Sequence, residues 1–185
     1  MKLLYMKTKQ ELEKFIGILF YSTTSAGIGG TIRNKLEDFK VKEDSFVQED
    51  ERGQHLMLEI EKRCMTTNDV INHISRTLEI SRKLIGVAGQ KDKDAITIQK
   101  FSIPFKEFDI QQLEIPGKLR ILGVRRIRRK IRLGMLRGNF LEIIVRDANV
   151  DEDVLKQTLD ELKQKGCPNY FGYQRFGVRR PNTHL

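Results

Sequence analysis

The segment HLMLEIE (55–61) alternates apolar and polar side chains, and this period of two predicts a strand with one buried face. Two further stretches show the same alternation, FKVKEDSFV (39–47) and residues 97–103. The short apolar run Leu84–Gly89 is typical of a buried strand. In residues 139–147, Leu141, Ile143 and Val145 face one way, opposite Glu142 and Arg146. The chain therefore contains at least five predicted strands.

Helices are predicted between and after these strands. Residues 67–84 place apolar side chains on one stripe and offer Thr67 or Asn68 as the N-terminal cap. Residues 152–165 form the clearest helix, because Asp151 can cap its start and Gly166 can end it. Residues 7–20 indicate a short helix or a helix-to-strand transition. Strands and helices alternate irregularly, so we expect an α+β fold with a mainly antiparallel or mixed sheet and flanking helices.

Composition narrows the class of protein. A chain of 185 residues corresponds to about one domain, and its net charge of +9 favours polyanionic partners, nucleic acid before anionic membrane surfaces. It contains no apolar run of the roughly 20 residues that span a bilayer, and no signal-peptide pattern. The two cysteines and three widely spaced histidines predict neither a disulfide framework nor a metal site. We expect a cytoplasmic protein with buried cysteines, no metal and no membrane association.

The positive charge is concentrated in one segment. Between Glu114 and Glu142 there is no acidic residue and there are nine basic ones, as many as the net charge of +9. If residues 124–133 form a strand, four basic side chains share one face; if they form a helix, Ile127 and Ile131 anchor it and the charges surround them. A solvated charged face is the ordinary alternative. The lack of counter-charges favours nucleic-acid binding by Arg126, Arg128, Lys130 and Arg132.

Two short motifs suggest chemistry. In GQKDKDAITIQ (89–99), Asp92 lies between two lysines at a predicted strand end, where flanking cations favour the ionised carboxylate and so a nucleophile or a base. Thr97 and Gln99 could hold a ligand or the loop, and a plain charged turn explains the same residues. In NYFGYQRFG (169–177), aromatic side chains beside Asn, Gln and Arg suit an unstacked base. A hydrophobic corner after the helix is an equally good interpretation.

Five stretches, in this order, resemble the TruD family of tRNA pseudouridine synthases. They are GIGGTIR (27–33), EDFKVKE (37–43), AGQKDKDAITIQ (88–99), RKIRLGMLRGNF (129–140) and CPNYFGYQRFG (167–177). The length of chain before GIGG is similar to that of archaeal members. The resemblance implies the first part of a pseudouridine-synthase catalytic core and isomerisation of a uridine in tRNA, at position thirteen of the D arm, without a cofactor.

The resemblance also implies roles for single residues. It places Asp92 as the catalytic aspartate and Phe171 as the stacking platform for the uracil. Asn169 would position Asp92 or the base, and Lys91 would help to orient or tune Asp92. Lys42 and Glu43 lie in the block that borders the site. The implied substrate-binding set is therefore Lys42, Glu43, Lys91, Asn169 and Phe171.

The chain stops where family members are near their middle. We therefore expect residues 1–185 to form a single incomplete catalytic domain, without the carboxy-terminal half and the inserted domain of the family. The implied partners are tRNA and, for completion of the site, the missing half or a second copy. A truncated RNA-binding fragment that needs a second half for turnover is the alternative to an active synthase.

Overall fold

The computed structural model describes residues 14, 17, 19–25 and 27–167, in two compact units. The larger unit, Thr31–Arg146, contains a six-stranded sheet and one α-helix. Its elements are β1 (Phe39–Asp44), β2 (His55–Arg63), α1 (Thr67–Thr77), β3 (Gly86–Val87), β4 (Ile96–Pro104), β5 (Leu119–Ile127) and β6 (Gly138–Ile143). Single turns of 3₁₀ helix occur at Leu36–Asp38, Arg82–Leu84 and Ile110–Leu113.

The sheet is mixed and has the order β5-β2-β4-β1-β6, with β3 also paired to β4. One pair is parallel, β1 with β4, and the other pairs are antiparallel. The expected α+β class with a mainly antiparallel or mixed sheet is confirmed. The β1–β4 pair aligns Val41 with Thr97, which brings the middle of β1 beside the start of β4.

The main core lies between one face of the sheet and α1. Leu58, Ile60 and Phe101 project from β2 and β4 onto Val70 and Ile74 of the helix, and all five side chains are fully buried. The alternation quoted for residues 55–61 therefore faces a core on one side, as predicted. Burial of this stripe, more than helix propensity, holds an 11-residue helix against the sheet.

Helix α1 is shorter than predicted. Its cap is Thr66, one residue before the predicted Thr67 or Asn68: the Thr66 hydroxyl accepts from the Asp69 amide while the Asp69 carboxylate accepts from the Thr66 amide. The helix ends at Thr77 and not at residue 84, because Glu79 adopts a left-handed conformation with φ of 54°. The turn at Glu79 changes the direction of the chain between α1 and β3.

The second unit contains α2 (Glu152–Lys165). The Asp151 carboxylate caps its start by accepting from the amides of Asp153 and Val154, and Gly166 ends it with φ of 75°. The predicted bounds of this helix are confirmed. The Thr24 hydroxyl and amide both donate to the Glu161 carboxylate, and these bonds lower the pKa of Glu161 to about 2.

Three expectations are corrected or fall on residues outside the described ranges. The last strand ends at Ile143 and does not continue to residue 147, because the chain turns to pair Arg146 with Thr31. Cys64 and Cys167 are exposed, since each lies in the chain just past a strand or helix end. The helix predicted over residues 7–20 falls almost wholly outside the described residues. Within the described part of the chain, no helix is both long and apolar enough to cross a membrane.

Candidate active site

Asp92 lies in the loop that joins β3 to β4, defined here as the Asp92 loop (residues 88–95). Its carboxylate is 51% exposed, and Nη2 of Arg33 donates to Oδ2 of Asp92 at 2.9 Å. The carboxylate is therefore open to solvent on one side and held by a guanidinium on the other. This arrangement suits an anion that must meet a ligand from solution.

The backbone of the Asp92 loop is fixed by side chains from three different elements. The Gln99 side-chain amide, on β4, donates to the Gly89 carbonyl at 2.8 Å. The Thr67 hydroxyl, at the start of α1, accepts from the Lys91 amide at 2.9 Å and donates to Gln99 Oε1 at 3.0 Å. Gln99 thus holds the loop, one of its two predicted roles. These buried bonds distinguish the loop from a plain charged turn.

Lys62 provides the third fixed point. Its side chain is fully buried at the end of β2, and Nζ donates to the carbonyl of Met65 at 2.6 Å and to that of Asp92 at 2.8 Å. Burial lowers the pKa of Lys62 to about 8. Sequence reasoning missed this residue. Lys62 follows Leu58 and Ile60 at intervals of two residues and so lies on the same face of β2. A lysine on this apolar face is the sequence feature that could have identified it.

Lys91 and Glu43 form a buried ion pair beneath the loop. Nζ of Lys91 lies 3.1 Å from Oε2 of Glu43, and the two side chains are only 4% and 1% exposed. No described residue donates a hydrogen bond to either Glu43 oxygen, and the buried Thr97 hydroxyl is also without a partner among the described residues. Lys91 thus pairs with Glu43 in the interior, whereas the neighbouring Asp92 carboxylate is exposed.

Arg33 is the second residue of the site that sequence reasoning did not single out. Its backbone has φ of 62°, a conformation that costs a non-glycine residue on the order of 1 kcal/mol. Its guanidinium stacks over the Phe39 ring at 3.9 Å and also contacts Asp92. Strained residues concentrate at functional sites. In the sequence, the feature that could have identified Arg33 is its position in the GIGGTIR (27–33) block.

Lys42, a further predicted substrate-binding residue, is not at this cluster. Lys42 is exposed and alternates with Glu43 along β1, so it lies on the opposite face of the sheet. There it lines an open groove of about 410 Å³ together with Phe140. Asn169 and Phe171 lie outside the described residues.

The basic segment is a strand only in its first part. Strand β5 ends at Ile127, so Arg126, Arg128, Lys130 and Arg132 do not share one strand face. Arg126 stacks on Phe105 and donates to the Gly53 carbonyl, while Lys130 donates to the Lys83 carbonyl. Arg128 and Arg132 are exposed and have no ion-pair partner among the described residues. Of the four predicted RNA-binding side chains, these two are the ones free to meet a phosphate.

Within the described ranges, no three His, Cys, Asp or Glu side chains come together in a way that could hold a metal ion. The charged groups of the site form pairs instead, Arg33 with Asp92 and Lys91 with Glu43. The cluster presents an exposed carboxylate paired with the Arg33 guanidinium, on a loop whose backbone is held by hydrogen bonds from side chains.

Comparison with known proteins decides the family. The family model for tRNA pseudouridine synthase D (TruD) matches residues 15–185. This chain belongs to the TruD family. A TruD relative from Methanosarcina mazei is 45% identical over 186 residues, which cover 95% of this chain and 41% of the relative. A TruD relative from Archaeoglobus fulgidus is 39% identical, with coverage of 94% and 42%.

A crystal structure of a TruD homologue from Methanosarcina mazei has the same fold. It matches with a TM-score of 0.79 and 42% sequence identity, over 93% of this chain and 40% of that chain. The present chain thus spans about two fifths of the length of the TruD proteins that it matches. The predicted fold class and the resemblance to TruD are both confirmed.

Proposed function

We propose that this TruD chain is a tRNA pseudouridine synthase in which Asp92 is the catalytic residue. The observation that carries the proposal is the Asp92 cluster: an exposed carboxylate paired with Arg33, on a loop whose backbone is fixed by Gln99, Thr67 and Lys62. Preorganisation of this kind lowers the cost of reaching a reactive geometry. The family match supports uridine in tRNA as the substrate.

The reaction is an isomerisation and needs no redox partner. The bond from C1′ of the ribose to N1 of uracil breaks, the base rotates, and a bond from C1′ to C5 forms. The C5 proton is lost while N1 gains one, so atoms and electrons balance within the nucleotide. An ionised Asp92 can serve this sequence as a nucleophile or as a base. Arg33 holds it in place without burying it.

The target base must leave its stack before it can reach Asp92. Extrusion costs a few kcal/mol, and stacking on an aromatic side chain returns roughly 1–3 kcal/mol. We assign that platform to Phe171 and base positioning to Asn169. The buried ion pair of Lys91 and Glu43 would hold the Asp92 loop against β1. The proposed target is the uridine at position thirteen of the D arm.

Phosphate contacts would come from the basic segment. Of the four predicted RNA-binding residues, Arg128 and Arg132 are exposed, whereas Arg126 and Lys130 are already bonded within the protein. Contacts to phosphates position an RNA but do not read its sequence. Arg is suited to this role because its guanidinium forms bidentate contacts.

A second candidate is an RNA-binding chain that turns over only with a further polypeptide. The observation that favours it is β6, an edge strand whose Phe140 and Leu141 are 67% and 58% exposed. Apolar side chains on both faces of an edge strand are typical of a surface that pairs with more protein. The length covered in the TruD relatives, about 41%, points the same way.

The test is pseudouridine formation on an unmodified tRNA transcript by the 185-residue chain, beside Asp92→Asn and the matched control Asp94→Asn. We expect product from the wild-type chain and from Asp94→Asn, none from Asp92→Asn, and tRNA affinities within three-fold of one another. Turnover by Asp92→Asn would remove Asp92 from its role. Binding without product from any form would favour the second candidate. A transcript with cytidine at position thirteen tests the target site.

A further inference from the structure

Lys62 is the largest fully buried side chain of the described residues, and it carries an amine. Its stem follows the apolar face of β2 behind Leu58 and Ile60, where every other β2 side chain on that face is apolar. An apolar residue would fill this space without the cost of desolvating an ammonium. The protein therefore keeps an ammonium group, which is unfavourable to bury, next to the backbone carbonyl of Asp92.

The two acceptors of Lys62 belong to different segments. The Met65 carbonyl lies in the turn between β2 and α1, and the Asp92 carbonyl lies in the Asp92 loop. Hydrogen bonds from a charged donor are about twice as strong as neutral ones. Lys62 thus ties the residue that bears the exposed carboxylate to the rigid start of the helix. Gln99 and Thr67 fix the residues before Asp92, but only Lys62 holds its own backbone carbonyl among the described hydrogen bonds.

We propose that Lys62 is a positioning residue for Asp92: its buried ammonium fixes the Asp92 carbonyl and thereby the direction in which the carboxylate leaves the loop. Rotation of that peptide would swing the carboxylate away from Arg33. The catalytic consequence rests on the function proposed above, whereas the loop geometry can be tested without it.

The charges around Lys62 make its hydrogen bonds sensitive to pH. Desolvation is the main cause that lowers its pKa to about 8, and Lys91 of the loop acts in the same direction. The carboxylates of Asp92 and of Asp69 on α1 act against it. A neutral amine keeps two N–H donors, so deprotonation weakens the two bonds without removing them.

The first test measures amide hydrogen exchange across residues 89–95 in the full chain, with Lys62→Met and the control Lys106→Met. Lys106 also donates to a carbonyl, that of Leu78 at 2.8 Å, but it is not at the site. We expect exchange of the Lys91 and Ala95 amides, which donate to the Thr67 hydroxyl and the Lys93 carbonyl, to accelerate at least ten-fold in Lys62→Met and to stay unchanged in Lys106→Met. Thermal stability of Lys62→Met should stay close to that of the wild type, because the removal of a buried charge offsets the loss of the donor to two carbonyls. Loop exchange within two-fold of the wild type in folded Lys62→Met would overturn the proposal.

The second test needs no variant and applies even if Lys62→Met does not fold. Carbon-detected NMR of the wild-type chain follows the carbonyl signals of Met65 and Asp92 between pH 6.5 and 9.5. Both should shift with one midpoint near pH 8, the value expected for Lys62, while the Leu78 carbonyl does not move there. Independent or absent shifts at the two carbonyls would overturn the assignment.

The third test separates positioning from folding. In a form that makes pseudouridine, Lys62→Met should lower kcat about 100-fold with KM within three-fold, because misplacing a reactive group by about 1 Å costs on this order. An unchanged kcat alongside a loosened loop would refute positioning. If no form makes pseudouridine, the proposed function fails, and the exchange and NMR results still decide the role of Lys62.

Discussion

Arg33 and Asp92 are 59 residues apart in the chain, and Nη2 of Arg33 lies 2.9 Å from Oδ2 of Asp92. In this pair Arg33 has a left-handed conformation, and its guanidinium carbon lies 3.9 Å from the centre of the Phe39 ring. Both partners remain partly exposed, 37% for Arg33 and 51% for Asp92. Such an ion pair contributes little to stability, so its value lies in orienting the carboxylate.

Arg33→Gln tests whether the ion pair orients the Asp92 carboxylate without stabilising the fold. We expect the free energy of unfolding, measured by urea denaturation, to change by less than about 1 kcal/mol, because the pair is solvent-screened. Pseudouridine formation should fall at least ten-fold in any active form. Arg63→Gln is the matched control, since Arg63 is also 37% exposed and pairs with carboxylates away from Asp92. Equal activity in the two variants would refute an orienting role for Arg33.

Glu43→Gln should be the most destabilising of these changes. It leaves the Lys91 ammonium buried and without its counter-charge, which costs about 3–5 kcal/mol when one partner of a buried pair is removed. Glu142→Gln is the control on the neighbouring strand, because Glu142 pairs with Lys40 in an exposed position and should contribute below about 1 kcal/mol. Urea denaturation of both variants measures the difference. Similar midpoints would mean that solvent reaches the Lys91–Glu43 pair.

The bidentate ion pair between Arg146 and Asp38 predicts a loss of stability in acid. The Arg146 guanidinium donates to both oxygens of the buried Asp38 carboxylate, at 2.8 and 2.7 Å, and holds its pKa below 3.8. Because the unfolded chain then binds the proton more readily, this contribution is complete above pH 3.8 and is lost as the pH falls through the folded-state pKa. Asp38→Asn should lower the urea midpoint at pH 7 and flatten its dependence between pH 5 and 3. An equally steep pH dependence in the variant would assign the acid effect to other carboxylates.

The exposed arginines of the basic segment should control the salt dependence of tRNA binding. Arg128→Glu and Arg132→Glu should each weaken binding and reduce the slope of log K against log salt by about 0.7–0.9 for each phosphate that the variant no longer binds. Arg76→Glu changes the charge equally on the exposed face of α1 and is the control. An equal decrease of the slope in all variants would indicate a response to net charge and not to this segment.

The strands and helices were predictable where one periodicity continued without interruption. Helix α2 was predicted with its bounds, because Asp151 and Gly166 act locally at its ends. Helix α1 was predicted too long, since the left-handed turn at Glu79 depends on the path of the chain toward β3. The pattern of residues 124–133 fits either a strand or a helix. The structure has a strand there that ends at Ile127.

The sequence by itself determined the α+β class, the motifs that resemble TruD and the prominence of Asp92, because periodicity, caps and motif order are local properties of the chain. Only the tertiary structure decided what surrounds Asp92. Arg33, Lys62 and Gln99 come from separate segments and meet at one loop through the strand order and the β1–β4 pairing. A lysine on an apolar face signals an unusual site in the sequence, but the carbonyls that accept its hydrogen bonds are set by the fold.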